Sequence, residues 1–75
     1  MNLVTLYIRL LDEGTEVARP TRAEEIAGGF LRVLPTPDYD SEDEHWEFPP
    51  GAIVRSEKRR YSDGEVVLAL ERIMP

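Results

Sequence analysis

One histidine, His45, stands between Glu44 and Glu47, and an imidazole titrating near neutrality among carboxylates is what general acid–base chemistry uses. No nucleophile or second catalytic group accompanies it, so His45 reads as structural and no catalytic residue is assigned. Just upstream, Asp38, Asp40 and Glu42 alternate like the start of a calcium loop. The sixth position of that loop, however, holds Asp43 rather than Gly, and the twelfth holds Pro49 rather than Glu. These acids read as a solvated loop. The 75-residue chain has no Cys and one His, which excludes a disulfide framework and the usual zinc sets. Gly28-Gly29 lacks the spacing of a phosphate-binding loop and reads as a turn. No metal, no cofactor and no enzymatic activity are expected.

Two stretches are better suited to contact than to reaction. Asp38, Asp40, Glu42, Asp43, Glu44 and Glu47 face no base, and Tyr39 and Trp46 lie among them. A protein partner is therefore expected to meet Tyr39, Asp40, Glu42, Asp43 and Trp46. Trp46 and Phe48 share a face at strand spacing, so packing is the first reading for them and a partly exposed platform the second. Arg55, Lys58, Arg59 and Arg60 crowd one later stretch, and Arg55, Arg59 and Arg60 with Tyr61 form the alternative face, one for nucleic acid. The net charge of −6 opposes that alternative, because phosphates reward a positive excess.

The elements that must position these residues are short. Apolar segments of strand length alternate with turn signals at regular intervals, which is an all-β pattern. Leu3 to Leu10 alternates, with Val4, Leu6, Ile8 and Leu10 on one face, and Asp12-Glu13-Gly14 supplies a turn. Thr15 to Arg19 is expected as a second strand ending at Pro20. Residues 20–28 admit two readings: Thr21-Arg22-Ala23-Glu24 matches a capping box, but so short a helix is marginal, and an irregular or strand-like segment is preferred. Phe30 to Leu34 predicts a strand with Leu31 and Val33 on one face. Residues 35–45 predict an exposed loop, within which the acidic stretch Asp38 to Glu44, anchored by no apolar side chain except Tyr39, is expected to be mobile and dispensable for folding.

The last third reads as a hairpin. A three-residue loop, Ser62-Asp63-Gly64, pairs Tyr61 with Glu65. Lys58 then faces Leu68, Ser56 faces Leu70 and Val54 faces Arg72, while Arg59 faces Val67, Glu57 faces Ala69 and Arg55 faces Glu71. A two-residue Asp63-Gly64 loop is rejected because it sets Glu57 opposite Leu70.

Five strands, tight turns and the Pro49-Pro50-Gly51 corner before the penultimate strand predict one domain over residues 1–75, a small SH3-like five-stranded barrel with an OB-like barrel as the alternative. Through Leu10-Leu11-Asp12-Glu13-Gly14, Arg19-Pro20, Tyr39-Asp40 with Glu42-Asp43, Trp46-Glu47-Phe48-Pro49-Pro50-Gly51 and the closing hairpin, nearly the whole chain resembles a family of small uncharacterised bacterial proteins. That resemblance implies membership without an activity. Where the family often carries a bulkier aromatic before Arg-Pro, this chain has Ala18.

A domain this small buries only roughly 60% of the surface its unfolded chain exposes. Packing alone must hold it. No apolar run approaches the roughly 20 residues of a membrane span, and a cytoplasmic monomer is expected. The first functional expectation is thus a protein-interaction or accessory module with a partner not yet defined. The second is a nucleic-acid-binding barrel using residues 55–61.

Overall fold

Period-two patterning puts alternate side chains of a strand on one face, and the first strand follows it. In the computed structural model, which describes residues 2–12, 17–61 and 64–74, β1 spans Leu3–Arg9. Leu6 and Ile8 are fully buried, and Val4 and Leu10 pack against the same cluster. Four further strands follow: β2 (Ala18–Glu25), β3 (Leu31–Val33), β4 (Ile53–Tyr61) and β5 (Gly64–Met74). They close a barrel in sequential order, β1-β2-β3-β4-β5. This is the all-β five-stranded barrel expected, the architecture that the SH3-like and OB-like descriptions share.

Each consecutive pair of strands is antiparallel. An odd number of strands wound this way brings the first and last strands together running the same way, so the closing pair must be parallel. It is, and it consists of the single register position Tyr7↔Leu68. Inside lie Leu6, Ile8, Ala23, Leu31, Val33, Val54 and Ala69, with Trp46, Phe48 and Ala52 added from outside the strands. Leu68, also buried, belongs to the closing seam, where its neighbours in register are Tyr7 and Glu57.

Two expectations need correction. The second strand does not end at Pro20: β2 runs through it to Glu25, with Pro20 opposite Tyr7. Pro20 lies where β2 has β1 on one side and, among the described residues, no strand on the other. A missing N–H facing that open side forfeits no ladder bond. The capping-box reading fails at the same place, because the Thr21 hydroxyl donates to the Leu34 carbonyl at 2.6 Å and caps nothing. The preferred strand-like reading holds, and Gly28 and Gly29, at φ of 84° and 81°, make the turn that leads to β3. A Cβ at Gly28 would come within 3.2 Å of the Phe30 ring.

The hairpin register also differs from the expected one. Tyr61 pairs with Gly64, not Glu65, and Lys58 pairs with Val67, Arg59 with Val66, Glu57 with Leu68 and Ser56 with Ala69. The register then shifts between Ser56 and Arg55, leaving Leu70 as an extra residue, so that Arg55↔Glu71 and Val54↔Arg72 stand as expected. A second shift leaves Ile73 extra between Val54↔Arg72 and Ile53↔Met74. Both extra residues lie on β5, and bulges bend the strand that carries them. A barrel of strands this short needs that curvature to bring β5 round to β1. The hairpin loop residues 62–63 lie outside the described residues, as do residues 13–16 of the first turn and of the expected second strand.

Thr21 is buried, and its hydroxyl ties β2 to the exit of β3. Thr21→Val should cost about 1–3 kcal/mol, since it keeps the shape but leaves a carbonyl without its donor. The urea midpoint should fall with an unchanged slope; an unaltered midpoint would show that water replaces the bond at no cost.

Candidate functional site

The residues expected to meet a partner divide between the core and the surface. Trp46 is 5% exposed and Phe48 7%, so both are core residues and the platform reading of Trp46 falls. Tyr39 is half-buried and meets the Trp46 ring edge-on, with centroids 4.6 Å apart and planes at 63°. Asp40, Glu42 and Asp43 are exposed. Asp40 shapes its own turn, since its Oδ1 accepts from the Glu42 amide at 2.9 Å.

Backbone geometry explains why Trp46 is held so firmly. The Leu10 amide donates to the Val17 carbonyl on the β2 side at 2.8 Å. On the other edge of the same strand, the Leu11 amide donates to the His45 carbonyl at 2.7 Å and the Glu47 amide to the Arg9 carbonyl at 2.9 Å. Residues 45–47 are therefore laid antiparallel along the end of β1, with Trp46 opposite Leu10. The Pro-Pro-Gly corner completes the crossing: the Ala52 amide donates to Pro49, Gly51 to Val33, and Val33 back to Ala52.

Side chains reinforce this corner. Glu44 accepts from the Trp46 indole N–H through Oε1 at 2.9 Å and from the Arg19 guanidinium through Oε2. His45 Nδ1 lies 2.6 Å from Asp12 Oδ2, both groups exposed, and Asp12 itself holds a positive φ of 64°. Arg9 Nε and Glu47 Oε1 face each other at 3.4 Å. These two atoms are the buried side-chain polar atoms, among the described residues, without a hydrogen bond. Leu10-Leu11-Asp12, Arg19, Tyr39, Glu44 and Trp46 thus meet at one end of the barrel. What they build there is packing.

Glu44 is the correction to the acidic loop. It was expected to be dispensable with its neighbours, yet its carboxylate bridges a strand and the core tryptophan. Asp38, Asp40 and Glu42 make no calcium site; among the described residues no three His, Cys, Asp or Glu side chains gather to hold a metal ion.

The alternative face lies on the β4–β5 ribbon. Arg55, Lys58, Arg59 and Arg60 are all exposed, and two of the four are engaged within the ribbon: Arg55 Nε donates to Glu71 at 3.0 Å and Arg59 Nε to Glu57. The side chain of Tyr61 lies outside the described residues. Sequence reasoning missed one further feature, an open groove of about 290 Å³ between Pro20, Pro35, Pro37, Thr5, Thr36 and Arg22. Its walls come from segments up to 32 positions apart, so no local signal marks it.

No protein-family model, curated protein or solved structure matches the chain.

Two variants separate the anchoring acid from the solvated ones. Glu44→Ala should cost about 1–3 kcal/mol, because a buried indole N–H loses its acceptor and a charge-assisted bond to Arg19 goes with it. Neutralising Glu42 and Asp43 together, as Gln and Asn, should leave stability unchanged within about 0.5 kcal/mol. Urea unfolding reads both. Equal losses, or none from Glu44→Ala, would mean that Glu44 is one more solvated carboxylate.

Proposed function

We propose that the chain is a protein-interaction or accessory module that takes an extended segment of its partner along the outer edge of β4. One observation supports this reading above the rest. β4 is nine residues long, but β3 pairs only with Ile53 and Val54. From Arg55 to Tyr61 the edge facing away from β5 carries no paired strand among the described residues. Alternate N–H and C=O groups along such an edge hydrogen-bond to water, and a partner strand can take them over as a ladder.

Two further features favour protein over nucleic acid on this ribbon. Arg55 and Arg59 are already partnered by Glu71 and Glu57, and Glu65 adds a third exposed acid on β5. A backbone-tracking surface needs an excess of free cations, and internal pairing reduces it. Asp40, Glu42 and Asp43 keep their place as a secondary contact for a basic partner, whereas Trp46 and Tyr39 are committed to the core.

Amide hydrogen exchange tests the reading, using linear peptides selected from a displayed library on the folded domain. Selected peptides should slow exchange at alternate amides between residues 55 and 61, leaving those already bonded to β5 little changed. Protection confined to residues 36–47 would move the contact to the acidic loop and overturn the strand-addition reading.

A further inference from the structure

β4 carries no bulge, so its alternation runs unbroken from the buried Val54 outwards. Ser56, Lys58 and Arg60 share the face of Val54, and Arg55, Glu57 and Arg59 take the other. The second face is satisfied internally by the Arg55–Glu71 and Arg59–Glu57 pairs. On the first, Lys58 stands opposite Val67 and Arg60 opposite Glu65 in register. Neither Lys58 nor Arg60 makes an ion pair or side-chain hydrogen bond among the described residues. Two exposed cations two residues apart, Arg60 with Glu65 across the ribbon, therefore sit on one face of a strand edge that is unpaired among the described residues.

From this we infer that the occupant of the β4 edge is an extended acidic segment with carboxylates at alternate positions, Asp/Glu-x-Asp/Glu, set beside Lys58 and Arg60. The inference rests on the strand-addition reading and adds the chemistry of the partner. Neighbouring strands place side chains of one face about 4.5–5.5 Å apart at directly opposed positions. A two-residue spacing on the incoming strand reproduces the spacing of Lys58 and Arg60, whichever way that strand runs. The intervening residues fall on the face of Arg55, Glu57 and Arg59, where the charges are matched and a small polar or β-branched residue suffices.

The same cations disfavour a second copy of this chain. Antiparallel pairing of β4 with itself, centred on Lys58 or between Lys58 and Arg60, brings cation against cation, and like charges directly opposed destabilise a ladder. Charged edges are a common guard against self-association. Here the guard also acts as a selector, because it repels an identical strand and attracts an acidic one.

The probe is a synthetic peptide, Thr-Val-Glu-Val-Glu-Val-Thr, titrated by fluorescence anisotropy at low salt against the intact domain. Controls are the Gln-for-Glu peptide and the Glu peptide N-methylated at alternate backbone nitrogens. The Glu peptide should bind at least about tenfold tighter than the Gln peptide. That advantage should vanish in the Lys58→Gln, Arg60→Gln double variant, whose circular dichroism should match the parent because both side chains are exposed. N-methylation should abolish binding. Equal binding of the Glu and Gln peptides overturns the acidic selectivity while leaving strand addition standing. Undiminished binding after N-methylation overturns strand addition itself, as does failure of the Glu peptide to bind. A single-stranded oligonucleotide that binds tighter than the Glu peptide, and loses affinity in the double variant, assigns the edge to nucleic acid instead. Reversible dimerisation that strengthens in the double variant and competes with the peptide assigns it to a second copy.

Discussion

The edge of β1 is the point on which the barrel turns. A five-strand meander must close through a parallel pair, and here that pair is reduced to Tyr7 against Leu68. Beyond it, from Arg9 to Leu11, the edge of the chain facing away from β2 would have no neighbour. The segment from His45 to Glu47 takes that place, exchanging two backbone hydrogen bonds with β1 and setting Trp46 opposite Leu10. An exposed strand edge is thereby covered, and the largest side chain in the molecule is driven into the core by the same contact. The seam is thus shared between a strand and a crossing loop.

Seen this way, the two charge-rich regions play different parts. Within the acidic loop, Glu44 serves the seam through Trp46 and Arg19, while Glu42 and Asp43 face water and contribute to net charge and solubility. Along the ribbon, Arg55–Glu71 and Arg59–Glu57 are exposed pairs of the kind worth at most about 1 kcal/mol each. They matter less for stability than for the face they neutralise. On the other face, next to the edge left unpaired among the described residues, Lys58 and Arg60 make no ion pair among those residues. One end of the molecule spends its irregular chain sealing a strand edge; the ribbon leaves one open.

Much of the fold was legible from periodicity. β1 and β3 follow directly from alternation, and the burial of Leu6, Ile8, Leu31 and Val33 is the inward half of that pattern. The hairpin was legible as a pairing but not in register near its turn, because Tyr61 meets Gly64 one residue earlier than a three-residue loop requires, and the extra Leu70, which no local signal marks, then restores the expected register at Arg55↔Glu71. Pro20 misled for a related reason. A proline ends a strand flanked on both sides, but β2 is flanked on one side there, and that depends on how far the three-residue β3 reaches. The site was less legible still. Glu44 is one acid among several, and what distinguishes it is its bonds to the Trp46 indole and to Arg19, 25 positions earlier. The open edge of β4 is invisible in sequence, since it is set by the brevity of a strand twenty residues upstream.

The central claim is that the seam depends on Trp46 being sealed inside the protein against β1. Because the chain has a single tryptophan, its fluorescence reports on this residue alone. In the folded domain the emission should be blue-shifted relative to free indole and protected from iodide quenching. In urea it should shift red in the same transition that removes the β-sheet circular dichroism. Red-shifted, freely quenched emission from the folded domain would contradict the account, because the strand edge would then be closed without the residue on which its closure is argued to depend.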